Sequence, residues 1–404
     1  MPRGNPHDPS PIFLILIIGL ANHNGKPSQW SQWLIFIAIA SICIYFIFFC
    51  ASSNPEQDHF DTTFIAFNFF ISSDYILLRK YQRKLQPSGH KPLSEMPFKE
   101  RLWWAASLVG NPRGIGWIHE PTLHIPPRPT STRLKFILSQ FMWMVFYVLQ
   151  LEIANIFVRA NPCFVSGGPS LFAFGWLWRS TVWLFVLLLY SWLSLAYTAY
   201  SIVMVAIGMS EPRDWPHLFG SPLDAYTVRN CWGWVQKSES LVYLSHLSKN
   251  NFDCISSRVW HQMYRKVLTD HADFITKQLR LPKNIFTSRF KLVFVFFLSG
   301  VIHHTGEYVI CQRWTGHSME FFLLQAIAIT CEDVIISLAA RAGLSSKPNC
   351  FFKIMGFVWV FAWFTYCLPL WLDDTIHNWV SGVQVIRHDS QSVLTNLKSL
   401  MLPP

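Results

Sequence analysis

Long apolar stretches separated by polar, basic connections dominate this chain. A helix needs about 20 mainly apolar residues, at roughly 1.5 Å each, to cross about 30 Å of hydrocarbon. Segments 11–22 (short), 31–50, 62–78, 134–158, 181–208, 290–310, 320–340 and 351–371 meet that pattern. Run 168–208 is long enough to hold a re-entrant piece before its span. The prediction is an all-α membrane protein of about eight transmembrane helices, a single multi-span domain over residues 1–404. Segment 11–22 reads as a first short membrane segment: only Arg3 precedes it and no small-residue cleavage site follows.

Basic residues fall in the connections. Residues 79–133 carry Arg79, Lys80, Arg83, Lys84, Arg101, Arg113 and Arg128 among others. Residues 209–289 carry Arg213, Arg229, Arg258, Arg265, Lys266 and Arg289, and 341–350 adds Arg341 and Lys347. The positive-inside rule puts all three on the cytosolic side, which leaves both termini lumenal. Long connections of this kind are uncommon in compact proteins and point to function. Trp103, Trp104 and Trp117 flank the turn Asn111-Pro-Arg-Gly-Ile-Gly-Trp117 and are expected at the membrane interface.

Composition agrees: 51% of residues are hydrophobic and 14% charged, against about 25% charged in a soluble domain. The net charge of +10 follows membrane topology rather than a nucleic-acid stripe, and a basic cytosolic face would also attract anionic lipid and a CoA-type polyanion. Nine scattered cysteines without a C-x-x-C pair exclude a zinc ribbon and read as small core hydrophobes. His119-Glu-Pro-Thr-Leu-His124 has the wrong spacing for a zinc-protease helix, and Pro121 would break it. Asp373-Asp374 reads as an exposed acidic cap rather than a metal site.

One polar anomaly stands out. His303 and His304, in Phe296-Phe-Leu-Ser-Gly-Val-Ile-His-His-Thr-Gly306, lie well inside an apolar span, where polar groups usually face the bundle interior or a wet cavity. Adjacent helical residues point about 100° apart, so at most one of them shares a given site. His304 is read as a neutral histidine satisfied by a neighbouring carbonyl. Upstream, Arg258-Val-Trp260-His261-Gln262, followed by Met263, Tyr264 and Arg265, mixes rings and bases as an interfacial helix does.

Together these clusters resemble the wax-synthase-like branch of the membrane-bound O-acyltransferases, in particular fungal enzymes that acetylate terpenoid and meroterpenoid natural products. The likeness runs over Arg101-Leu-Trp-Trp104, Asn111 to Trp117, Phe219-Gly-Ser-Pro-Leu-Asp-Ala-Tyr226, the Trp-His-Gln run, Ser299-Gly-x-x-His303 and Trp371-Leu-Asp-Asp374, with a wax-synthase-like core at about residues 200–310. The resemblance makes His303 the catalytic histidine. It puts His261 at the second catalytic position, where it would orient the donor or polarise its carbonyl. It implies an endoplasmic reticulum membrane enzyme that transfers acetyl from acetyl-CoA, or another acyl-CoA, to a hydrophobic secondary-metabolite alcohol, with no metal or redox cofactor. Arg229, Trp232, Arg258, Trp260 and Arg265 become candidate substrate-binding residues, the arginines for CoA phosphates. The family pattern reads approximately R-x-F-W-G-R-x-W-H-Q, whereas here Arg229-Asn-Cys-Trp-Gly233 and Arg258-Val-Trp-His-Gln262 are separated by the polar, Ser-rich residues 234–257. That stretch is a retained intron or a surface insertion, and the transcript sequence separates the two. The alternatives are a long-chain wax ester or sterol ester synthase and, from another class, a proton-coupled transporter. A transporter would show charges on several spans or paired broken helices.

Overall fold

The computed structural model describes residues 8–22, 28–52, 54–78, 93–111, 113–117, 120, 126–164, 168–232, 265–343 and 349–401, with side chains through His377. Among them the regular structure is helical: α1 (Ser10–Ala21), α2 (Gln29–Phe49), α3 (Pro55–Ser73), α4 (Phe98–Val109), α5 (Arg133–Ala160), α6 (Val182–Ala206), α7 (Val228–Trp232), α8 (Arg265–Gln278), α9 (Ile285–Cys311), α10 (His317–Arg341) and α11 (Cys350–Met401). His261, Arg258, Trp260 and the stretch 234–257 lie outside the described residues.

Six described helices are long and apolar enough to cross a membrane, where the sequence pattern gave about eight: α2, α5, Trp176–Ala206 (α6 with the turn before it), α9, α10 and the Cys350–His377 part of α11. The other two segments do form helices. At 12 residues α1 reaches only about 18 Å. Helix α3 carries Glu56, Asp58 and Asp61, and then runs into a π-helical turn at Asp74–Leu78. It buries Asp58, His59 and Asn68 among neighbouring helices, so much of its surface meets protein rather than lipid. The multi-pass membrane architecture stands.

Helix α9 is the hub, packed against α3, α8, α10 and α11. Asn284 starts it by accepting from Thr287 N at 2.9 Å, and the Thr287 hydroxyl donates to the Pro282 carbonyl at 2.6 Å. Left-handed Gln312 (φ 52°) and Gly316 (φ 79°) then turn the chain back into α10. Two glycines set how closely α9 meets its neighbours. A Cβ on Gly300 would lie 2.9 Å from Met319 Sδ and 3.1 Å from its Cα, on α10. One on Gly306 would lie 2.8 Å from the His59 carbonyl oxygen and against Thr63 Oγ1, on α3.

Helices α5 and α6 pair with each other and join the hub through α11. There Trp183 stacks on Phe361 (5.6 Å, 10°) and donates to Thr365 Oγ1 at 3.0 Å. The outer face of α5, with Leu134, Leu138, Phe141, Met142 and Phe157, is exposed, as suits contact with lipid tails.

The connections at one end are tied together by Arg113. Its buried guanidinium donates to Tyr197 Oη (3.0 Å), the Pro216 carbonyl (3.2 Å) and the His217 carbonyl (3.1 Å). Burial holds its pKa below the usual arginine value, against the opposing pull of Tyr197 and Glu120. Trp103 is exposed, as expected of an interfacial ring, but Trp104 and Trp117 are not interfacial: both are buried, with rings 6.3 Å apart. A rigid turn packed on α4 withdraws its tryptophans from the lipid boundary.

Candidate active site

The S-G-x-x-H run has a local logic. Gly300 lets α9 close on α10, and one turn later His303 projects from the same side of the helix. Its ring enters the junction of three helices. It stacks on Phe322 of α10 (4.8 Å, 15°) and meets Trp371 of α11 (5.0 Å, 71°) and Phe67 of α3 (5.9 Å, 89°) edge to face. His303 is half-buried and lies about 12 Å along α9 from its Cys311 end.

His304 points elsewhere. It is buried, its ring stacks on Trp314 (4.5 Å, 24°), and its Nδ1 lies 3.3 Å from Glu307 Oε2. The division between the two histidines is therefore real, but the partner of His304 is a carboxylate and not the expected carbonyl. Glu307, fully buried, also accepts from Ser318 N (3.0 Å) and from the hydroxyls of Ser318 and Thr315.

Trp232 and His303 come together on one aromatic wall. The Trp232 ring lies 5.7 Å from Phe322, the ring that stacks on His303, and also contacts Phe296, Phe321 and Phe364. Gln325, which the sequence reading passed over, locks this wall. Its oxygen accepts from the indole N–H of Trp232 (3.3 Å) and of Trp363 (3.0 Å), while its Nε2 donates to the Phe321 carbonyl (3.0 Å) and to Cys367 Sγ (3.3 Å). Indole nitrogens only donate, which fixes the orientation of the amide.

Arg229 and Arg265 belong to a separate group at the loop-bearing end. Arg229 grips Asp333 with two nitrogens, Nε at 3.0 Å, and Arg289 pairs with the same carboxylate. Beside it Glu332 accepts from Val228 N (2.6 Å), Arg229 N (3.1 Å) and Trp359 Nε1 (2.8 Å). Desolvation and the neighbouring Arg229 charge bring Arg265 down to about 10. Two guanidinium groups thus share Asp333, and a third, Arg265, feels the charge of Arg229. Of these, Arg289, Glu332 and Asp333 were missed as site residues, although a carboxylate inside an apolar span is the same signal that exposed His303.

Asp373 and Asp374 are not an exposed cap. Asp373 accepts from Ser170 Oγ (2.8 Å) and Leu171 N (2.7 Å), and Asp374 pairs with Arg313 (3.2 Å). They tie α11 to the 168–181 connection and to the turn between α9 and α10. Among the described residues no His, Cys, Asp and Glu cluster has the arrangement of a metal site, and the cysteines described are free.

The model of the "Membrane bound O-acyl transferase family" matches residues 255–324, a stretch that takes in Arg258, Trp260, His261, Arg265 and His303. Among curated proteins, the chain is 31% identical to an acetyltransferase, eriL, of Hericium erinaceus, over 84% of both chains. It is 30% identical to the acetyltransferase ple2 of Rhodocybe pseudopiperita, over 90% of this chain and 89% of that one. The acetyltransferase TRI7 of Fusarium sporotrichioides is 29% identical over half of this chain and 45% of its own. No solved structure matches. A histidine at a three-helix junction, inside the segment the family model recognises and within a chain that aligns over 84–90% of its length with such relatives, identifies a member of the membrane-bound O-acyltransferase family.

Proposed function

We propose that the protein transfers acetyl from acetyl-CoA to a hydroxyl of a terpenoid or meroterpenoid secondary metabolite, within the endoplasmic reticulum membrane. The observation that carries this is the seat of His303: an imidazole set among aromatic rings, half-buried in a membrane bundle, in a chain whose aligned relatives are named acetyltransferases. Neutral imidazole is suited to take the alcohol proton. By the family resemblance, His261 takes the second catalytic position. The basic group Arg229, Arg265 and Arg289 offers the CoA phosphates more positive charge than Asp333 and Glu332 remove. Arg258 and Trp260 are further substrate-binding candidates by the family resemblance, and Trp232 backs the aromatic wall. The greasy alcohol reaches the site from the bilayer. Joining Gly233 directly to Arg258 brings the two halves of the family motif together, with Cys231 where the pattern has Phe, so residues 234–257 are the part of the chain at odds with activity.

The test is His303→Ala in microsomes with labelled acetyl-CoA and farnesol as the terpenoid alcohol. General-base help is worth about 10²–10⁴ in rate, or roughly 3–5 kcal/mol, so turnover should fall by at least 100-fold. Turnover above about a tenth of wild type would overturn the assignment.

A further inference from the structure

A buried hydrogen-bond donor without a partner needs an explanation, because burying it unsatisfied is costly. The indole Nε1–H of Trp371 is such a donor: the nitrogen is shielded from solvent and has no partner among the described residues. Its ring lies 5.0 Å from that of His303. The other two rings that meet His303 belong to phenylalanines, Phe67 and Phe322, which have no polar hydrogen to offer. The neighbouring tryptophans of the bundle are treated differently. Trp232 and Trp363 both donate to Gln325, Trp359 donates to Glu332 and Trp183 to Thr365. The fold therefore satisfies the indoles that build the wall, and leaves open the one that stands beside the base. Packing on Phe321 (5.1 Å, 27°) and Phe322 (5.4 Å, 56°) holds the ring in place.

We propose that Trp371 Nε1–H donates to the carbonyl oxygen of the acyl thioester as the alcohol attacks. This rests on His303 being the base. In the step, His303 takes the alcohol proton, the alcohol oxygen bonds to the carbonyl carbon, and the C=O π pair moves onto oxygen. The indole N–H stabilises that oxyanion. On collapse the C–S bond breaks, and the CoA thiolate takes the proton back from the imidazolium to leave as the thiol. An oxyanion donor of this kind, fixed before the reaction begins, is typically worth roughly 10²–10³ in turnover.

The experiment is Trp371→Phe in the full chain, assayed with acetyl-CoA and farnesol beside His303→Ala. The substitution keeps a ring and removes the unsatisfied donor. Turnover should fall about 10²-fold or more with KM little changed, while the melting temperature holds or rises. Trp371→His, which returns a ring N–H, should recover at least tenfold over Phe. A tryptophan with a purely structural role would lose stability and activity together. The proposal is overturned if Trp371→Phe turns over within threefold of wild type, or if it fails to accumulate as folded protein. If His303→Ala also stays active, the reading of the site as a whole fails; if His303→Ala is inactive, only the role of Trp371 does.

Discussion

Two buried carboxylates, Glu332 and Glu307, do the same structural task at opposite ends of the α9–α10 pair, in different chemical company. Each caps the N-terminus of another helix, Glu332 from about a hundred residues away and Glu307 from across the turn that joins α9 to α10. Glu332 receives the first amides of α7, and Glu307 receives Ser318 N at the start of α10. Glu332 sits among arginines: Arg229 and Arg289 share its neighbour Asp333, and Arg265 lies close to Arg229. Glu307 has neutral donors, the hydroxyls of Thr315 and Ser318, with His304 and, at 3.7 Å, His317. The difference gives the bundle a polarity. One end carries surplus positive charge that an anionic donor can use, and the other is closed on itself. His303 lies between them, packed among the rings of Phe322, Trp371 and Phe67.

The largest expected effect comes from breaking the closed end. Glu307→Ala strands the half-buried Thr315 hydroxyl together with a backbone amide, the Ser318 hydroxyl and an imidazole nitrogen, the last three each a buried orphan worth about 1–3 kcal/mol. Little folded protein should survive detergent extraction, as read by gel filtration after a heat step. Glu332→Gln should be milder, since its oxygen still accepts and Arg229 keeps Asp333. Equal losses in the two variants would mean that the ends do not differ as described.

Next come the two glycines of α9. Gly306→Ala places a methyl against the His59 carbonyl, which is backbone and cannot swing away, so about 1–3 kcal/mol of destabilisation is expected. Gly300→Ala first meets Met319 Sδ, on a flexible side chain, and should cost less stability. It should still cost activity, because it moves the helix face that carries His303. Thermal melting paired with turnover separates the two. A larger stability loss at Gly300 would reverse the ordering.

The smallest stability change, and an opposite one in sign, is expected at Arg265. Its pKa is lowered from the ordinary arginine value to about 10, by desolvation first and by Arg229 second. Below about 10 both folded and unfolded chains hold this proton, so the cost of a charged, desolvated Arg265 is present in full at neutral pH. It is relieved as pH rises above about 10 toward the ordinary arginine value. Arg265→Gln should therefore leave the melting temperature unchanged or slightly raised, while weakening acetyl-CoA binding measured by displacement of the labelled donor. A lower melting temperature with unchanged binding would remove Arg265 from the donor site and give it a structural role.

Much of this was legible in the residues. Phe296 to Gly306 read as a span with a polar interruption, and that is what α9 is. The separation of His303 from His304 follows from helical geometry alone. The segment 62–78 was legible as apolar but not as enclosed: the acids that begin α3, at Glu56 and Asp58, precede the window in which its hydropathy was counted. Asp373-Asp374 looked like a cap because nothing local shows that Ser170, Leu171 and Arg313 arrive from distant parts of the chain. Gln325 and Glu307 passed unnoticed for the same reason, since a single amide or carboxylate in a span has meaning only once its donors are known.

By itself, the sequence determined that this chain lives in a bilayer, that its helices run between basic connections, and that the imidazole of His303 lies inside an apolar span on a different face from that of His304. Periodicity, charge and span length are local quantities, and each can be read from neighbouring residues. Only the tertiary structure decided what surrounds that imidazole: Phe322 on one face, Trp371 with its unpartnered N–H at the edge, and Trp232 held behind Phe322 by Gln325. Those neighbours come from α7, α10 and α11, and where their side chains meet is set by packing and hydrogen-bond satisfaction across the bundle, which no single segment encodes.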